Sequence, residues 1–194
     1  MASLVLTGDT SGQVTLSAPA VAGSNTLTLQ AATATSAVNT LSTTVATTSG
    51  TSIDFTSLPS WIKRITVMFN AVSTNGSSII QVQLGTASGI EATGYVSLMT
   101  VNNGAASNSS TTGLLAGASG NSGYVQTGLM TIVTMGSNLY ISSTVTVTDS
   151  SLGNYSGTGA GRKTLGGTLT QVRITTVNGT DTFDAGSVNI LYEG

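Results

Sequence analysis

A tyrosine and two cations are the residues of this sequence best suited to bind a ligand. Tyr155, Arg162 and Lys163 lie in the glycine-rich run NYSGTGAGRKTLGG. An aromatic ring offers an apolar face with a polar tip, and two cations can hold hydroxyls or acidic groups, which suits a sugar or an anionic polymer. Glycines let a ligand approach the backbone closely. The sequence therefore predicts a ligand-binding surface loop from Asp149 to Gly166, with a solvated loop that binds nothing as the alternative.

The same run resembles a phosphate-binding loop, because glycines precede a lysine and a threonine in GTGAGRKT. A nucleotide-binding loop needs glycine directly before the lysine, so that backbone N–H groups surround the phosphate where a helix begins. Here Arg162 separates the last glycine from Lys163, and no helical pattern follows. We therefore expect no nucleotide and no other cofactor at this run.

Two carboxylates near the C-terminus, Asp181 and Asp184 in TDTFD, could in principle hydrolyse a glycosidic bond. Residues three apart on a strand face opposite sides, so these two are expected to cap turns or to be exposed. Calcium binding by them with Asp54 or Asp149 is the alternative, but no calcium-loop motif supports it. The chain has no His and no Cys. We therefore predict no catalytic residues and no metal site.

The composition indicates an assembly component. Only 6% of the residues are charged, against a usual ~25%, while 39% are hydrophobic and the net charge is -2. Nearly neutral surfaces associate more readily because repulsion is weak. Five basic residues against seven acidic ones predict no nucleic-acid partner. Without an apolar run of ~20 residues or a basic leader, we expect neither membrane insertion nor a signal peptide.

Alternating apolar residues define the expected fold. The odd positions from Ile65 to Ala71 are apolar, which is typical of a strand with one buried face. Phe55, Trp61 and Phe69 are expected in the core. About eight strands and no long helix predict an all-β protein, an antiparallel β-sandwich with a jelly-roll-like order. The other strands are predicted at 80–84, 94–101, 123–135, 138–148, 169–177 and 187–192.

Two short alternating runs near the N-terminus lack a core of their own. Val14 and Leu16 share one face in QVTLSA, and Leu27 and Leu29 share one in NTLTLQ. Isolated hairpins are marginal in water, and such faces are best buried against sister chains. We therefore predict a homotrimer with these four residues between chains; an arm folded back on its own domain is the alternative.

The change in amino-acid composition near Thr51 predicts that the chain has two structural parts. Residues 31–50 are rich in Ser, Thr and Ala without charges or aromatics, and are expected to form a connecting stalk. The predicted organisation is an N-terminal β-arm and stalk over 1–50, followed by a globular β-sandwich domain over 51–194.

Several segments resemble parts of tailed-bacteriophage fibre and virion structural proteins. GDTSGQVTLSAPAVAGSNTLTLQAATAT is similar to a segment near their N-termini. SIDFTSLPSWIKRITVMFNAVSTNGSS, QVQLGTASGIEATGYVS and TFDAGSVNILYEG resemble their distal β-domain. The resemblance implies a virion component assembled in the host cytoplasm, often a homotrimer, attached to other virion proteins by its N-terminal arm.

The resemblance and the loop together predict a non-enzymatic fibre-like protein whose distal domain binds a host surface polysaccharide. A capsid decoration or tail adaptor protein without receptor binding is the alternative. A small polysaccharide hydrolase is a further one, which the lack of His and Cys and the few carboxylates disfavour.

Overall fold

The computed structural model describes residues 3–7, 13–17, 38–102, 107–117, 120–150 and 153–194. Every regular element in these residues is a β-strand. The strands are β1 Ser3–Thr7, β2 Gln13–Ser17, β3 Asn39–Leu41, β4 Val45–Ala46, β5 Ser52–Phe55, β6 Arg64–Thr74, β7 Ile80–Thr86, β8 Gly89–Glu91, β9 Tyr95–Val101, β10 Ser107–Ser110, β11 Leu114–Leu115, β12 Val125–Gly136, β13 Leu139–Asp149, β14 Tyr155–Thr164, β15 Gln171–Thr176 and β16 Phe183–Glu193.

The chain forms two compact units, residues 1–36 and 37–194. In the first unit, β1 and β2 pair antiparallel, and the pairing places Leu4 opposite Leu16 and Leu6 opposite Val14. The predicted strand at QVTLSA is therefore confirmed. The predicted run with Leu27 and Leu29 lies outside the described residues.

The second unit contains two antiparallel sheets. The nine-stranded sheet has the order β10-β9-β14-β13-β12-β6-β16-β3, with β4 also paired to β16. The five-stranded sheet has the order β11-β7-β15-β5, with β8 paired to β7. Their inner faces contribute to one hydrophobic core. The predicted all-β, antiparallel sandwich is confirmed, whereas its jelly-roll order stays a prediction.

The core is apolar where β6 faces the smaller sheet. Ile65, Val67 and Phe69 of β6 are buried, as their alternation predicts, and Phe55 is buried too. The core position predicted for Trp61 is wrong, because 37% of this residue is exposed. Trp61 lies in the turn before β6, outside both sheets, and its ring contacts Tyr192 at 5.8 Å between centroids.

The pairing of β6 with both of its neighbours, β12 and β16, shifts in register at the same level of the sheet, which marks a β-bulge. Ala71 of β6 has a φ of 51° and Gly186 of β16 a φ of 92°, and the register of β12 against β6 shifts beside Gly128. A Cβ on Gly186 would lie 2.2 Å from the carbonyl oxygen of Ala71, so only glycine fits there. Such bulges add a residue to one strand and invert the alternation beyond it. Consequently Val72 is buried where alternation predicts Ala71.

The stalk predicted over 31–50 needs correcting from Val38 onward. β3 and β4 both pair with β16, and the buried hydroxyl of Thr47 donates to the carbonyl oxygen of Ala185 at 2.6 Å. Short strands here cover what would otherwise be a long open edge of β16. The compact unit therefore begins at Ala37 and not at Thr51.

Candidate interaction surface

The glycine-rich run is a strand, so the prediction of a surface loop from Asp149 to Gly166 is wrong. β14 lies between β13 and β9 and pairs with both over most of its length. A Cβ on Gly161 would lie 2.7 Å from Leu114 Cδ2 and 2.9 Å from the carbonyl oxygen of Val96. The glycine thus serves close packing within the sandwich, and not loop flexibility.

The three predicted ligand-binding residues do not converge. Tyr155 and Lys163 lie near opposite ends of β14, roughly 26 Å apart along the strand, and share its inner side. Arg162 lies on the other, exposed side. Tyr155 is half-buried, and its ring meets that of Tyr124 edge-on with 5.8 Å between the centroids. Its pKa is raised above the usual value, mainly because the hydroxyl is partly buried and also because it contacts Tyr124. A shared role in ligand binding stays a prediction, without a common site.

Lys163 is buried and holds the two sheets together. Only 6% of its side chain is exposed, and its Nζ lies 2.6 Å from Glu91 Oε2 and donates to the carbonyl oxygen of Thr93 at 2.9 Å. The ring of Tyr95 lies 5.2 Å from the same cation. Burial raises the pKa of Glu91, but hydrogen bonds from Lys163 and from the backbone N–H of Gly166 outweigh it, so this pKa lies below its usual value.

The C-terminal carboxylates hold backbone elements together, Asp181 between two loops and Asp184 between β16 and β6. Asp181 accepts hydrogen bonds from the N–H of Ser78 at 2.8 Å and from Asn178 Nδ2 at 2.6 Å. Asp184 accepts one from the hydroxyl of Ser73. Among the described residues, no three His, Cys, Asp or Glu side chains are grouped so that they could hold a metal ion.

Strand β13 has its apolar side turned outward. Ile141, Val145 and Val147 are exposed, with 57% exposure at Val145. The alternate positions on its inner side are all buried. They are Tyr140, which belongs to the hydrophobic core, and the small hydroxyl residues Ser142, Thr144, Thr146 and Thr148.

Two of the buried hydroxyls of β13 have partners in the segment that includes β11. Thr144 Oγ1 donates to the carbonyl oxygen of Leu115 at 3.4 Å, and Thr146 Oγ1 donates to that of Ala116 at 3.1 Å. Polar groups can be buried at low cost when they are hydrogen-bonded. The inner side of β13 is therefore polar because it faces a polypeptide backbone that needs donors and acceptors.

The exposed apolar residues of β13 continue onto three neighbouring strands. In register, Leu98 lies opposite Ala160, and Val145 lies opposite both Thr158 and Leu129. A shallow concavity of about 440 Å³ lies over the part nearest β9. We call this surface the outer apolar face; it comprises Val96, Leu98, Leu129, Ile141, Val145, Val147, Ala160 and Arg162.

Two charges mark the ends of the outer apolar face. Arg162 lies opposite Ile141, and Asp149 is the last outward residue of β13. Both are exposed, and within the described part of the chain neither has an ion pair or a side-chain hydrogen bond. The face therefore has a cation at one end and an anion at the other, with aliphatic residues and the outward hydroxyl residues Ser143 and Thr158 between them.

No family model, no curated protein and no solved structure matches this chain. The described residues contain no helix that is long and apolar enough to cross a membrane.

Proposed function

We propose that the chain is a non-enzymatic structural protein of a bacteriophage particle, fibre-like, that attaches to the particle through its N-terminal unit and assembles as a homotrimer. The outer apolar face is the single observation that carries self-association of the body, whereas the trimer is proposed on the alternating runs of the N-terminal arm. Large contiguous apolar surfaces on soluble proteins mark interaction sites. Here three of the five outward positions of β13 from Ile141 to Asp149 are aliphatic and exposed, so solvent is an unsuitable final environment for them.

The particle itself is proposed on the resemblance of the N-terminal, central and C-terminal segments to phage fibre proteins. The division into units 1–36 and 37–194 supports it, because it separates a small β-hairpin unit from a large sandwich. An attachment element and a distal body need this separation.

A structural role is supported by what the described carboxylates do. Asp54, Glu91 and Glu193 each pair with a cation, with Arg173, Lys163 and Arg64 respectively. Asp181 bonds to the loop before β7, and Asp184 bonds to Ser73 of β6. Carboxylates used in this way stabilise the fold and are not presented to a substrate.

A decoration or adaptor protein without receptor binding is the second candidate. The buried position of Lys163 favours it, since this cation is already matched by Glu91. A host polysaccharide would then have to be bound by Arg162 and residues beside it, without Tyr155 and Lys163.

The test compares two variants of one strand in the parent phage. Val14→Asp with Leu16→Asp charges one side of β2, and Thr15→Asp, at an exposed position, charges the other. We expect mass spectrometry of gradient-purified particles to find the unmodified chain and Thr15→Asp in them, and at least tenfold less of the double variant. Absence of the unmodified chain from particles would refute the virion role. Equal incorporation of both variants would refute attachment through this arm.

A further inference from the structure

The outer apolar face is large enough for a specific contact. It spans four strands that are about 4.8 Å apart and about 27 Å along β13 from Ile141 to Asp149, hence roughly 500 Å². Two such faces together would bury roughly 1,000 Å², which is the lower limit for a stable biological interface. The face therefore needs a partner of similar size and flatness.

The charges on this face are arranged symmetrically about its centre. Arg162 lies level with Ile141, four residues before Val145, and Asp149 lies four residues after it. Each charge is therefore about 14 Å from the level of Val145, in opposite directions along the strands. A surface with this arrangement is complementary to itself after a half-turn about an axis through its middle.

We propose that the outer apolar face binds a second copy of the same chain, about a two-fold axis that crosses the strands at the level of Val145. In sheets packed about 10 Å apart, this rotation places Val145 and Leu129 against the same residues of the other copy. It also places Arg162 across from Asp149 of the partner subunit, offset sideways by about one strand spacing, and the reverse, so that two pairs of long and short charged side chains can meet at the ends of the contact.

A second copy fits this face better than an unrelated protein does. A different partner would have no reason to match equal and opposite charges at equal distances from the centre, whereas a two-fold contact requires this match. The inference deepens the proposed assembly role by naming the partner. It uses the body alone and leaves the trimer contact of the arm unchanged.

The first test uses the lack of cysteine in the chain. Val145→Cys in the full-length protein places single thiols close to the axis, so a short bis-maleimide should join most chains into covalent pairs. Val177→Cys is the matched control, because Val177 is 40% exposed but lies in the turn after β15. Linkage of both variants to the same small extent would overturn the proposal. Protection of the thiol of the Val145→Cys variant from a monofunctional maleimide, without linkage, would show a different occupant and would overturn it as well.

The second test exchanges the charges. Arg162→Asp and Asp149→Arg should each raise the dissociation constant at least tenfold, and the double variant should restore it, since coupling between close charges across an interface is of this order or larger. Light scattering should give half the unmodified mass for each single variant. Lys63→Glu, at an exposed lysine, has the same effect on net charge as Arg162→Asp and should leave the mass unchanged. An unmodified chain of monomer or trimer mass would refute the two-fold contact. The virion role would be unaffected, since it is tested on particles.

Discussion

Strands β6 and β13 belong to one sheet, yet they distribute their side chains in opposite ways. β6 buries Ile65, Val67 and Phe69, and its opposite side contains Arg64, Thr66, Met68 and Asn70. β13 buries threonines and exposes Ile141, Val145 and Val147. Alternation of the two classes is equally clear in both strands, so alternation alone does not tell which side is the interior.

The covering layer explains the difference. The inner side of β6 meets aliphatic residues of the smaller sheet, such as Val82 and Ile174, within one core cluster. The inner side of β13 meets backbone groups of Leu115 and Ala116, which need hydrogen-bond partners. Aliphatic side chains on β6 therefore stabilise the fold, whereas those on β13 are available to stabilise an assembly.

The largest expected effect on the free energy of unfolding is at the buried side of β6. Phe69→Ala should lower the free energy of unfolding by about 3–5 kcal/mol, the usual cost of removing a buried aromatic side chain. Urea denaturation of the full chain measures it. Val145→Ala is the matched control and should change the free energy by less than about 0.5 kcal/mol at concentrations where chains are dissociated. Equal effects of the two substitutions would contradict the difference between β6 and β13.

The sequence predicts where strands occur better than it predicts which part of the chain packs on each of their faces. The odd positions from Ile65 to Phe69 are placed correctly because their interior is made of side chains alone. The glycines of β14 predict a loop, since glycines are typical of turns; in the structure they allow close contact with Leu114 and Met99. That requirement comes from distant residues and leaves no local pattern.

The outer apolar face is hard to predict for a similar reason. The residues of ISSTVTVTD visibly divide into an aliphatic and a hydroxyl side, but hydrophobicity alone would bury the aliphatic one. Its outward position follows from the backbone of Leu115 and Ala116 against the inner side of β13, which no short-range pattern encodes. Arg162 is an exposed cation, as the sequence predicts, whereas the burial of Lys163 depends on Glu91, 72 positions earlier in the sequence.

An intermediate effect on the free energy of unfolding is expected at the ion pair between Lys163 of β14 and Glu91 of β8, which joins the two sheets. Glu91→Gln removes the charge that faces buried Lys163 and should cost roughly 1–2 kcal/mol at neutral pH, since Glu91 is partly solvated. Arg64→Gln, which breaks an ion pair at the surface, is the control and should cost less. Thermal or urea denaturation measures both.

The same substitution should make the protein less sensitive to acid. The pKa of Glu91 is lowered in the folded protein, so its contribution to stability is complete above the unfolded value of about 4.3 and disappears as the pH falls through the folded value. The difference between unmodified protein and Glu91→Gln should therefore shrink between pH 5 and about pH 3. A difference that stays constant over this range would mean that the carboxylate is not selectively stabilised by Lys163.

The smallest expected effect tests the polar interior of β13 directly. Thr146→Val preserves the shape of the side chain and makes the interior more apolar, so a purely hydrophobic view predicts a more stable protein. The hydroxyl of Thr146, however, donates to the carbonyl oxygen of Ala116 at 3.1 Å in a buried position. Loss of this bond should lower the free energy of unfolding by about 1 kcal/mol, as for a typical intramolecular hydrogen bond. Thr164→Val, at the exposed last position of β14, is the matched control and should change it by less than about 0.5 kcal/mol. Stabilisation by Thr146→Val in urea denaturation would show that the backbone beneath β13 needs no donor from this strand, and the polar inner side would then lack a physical reason.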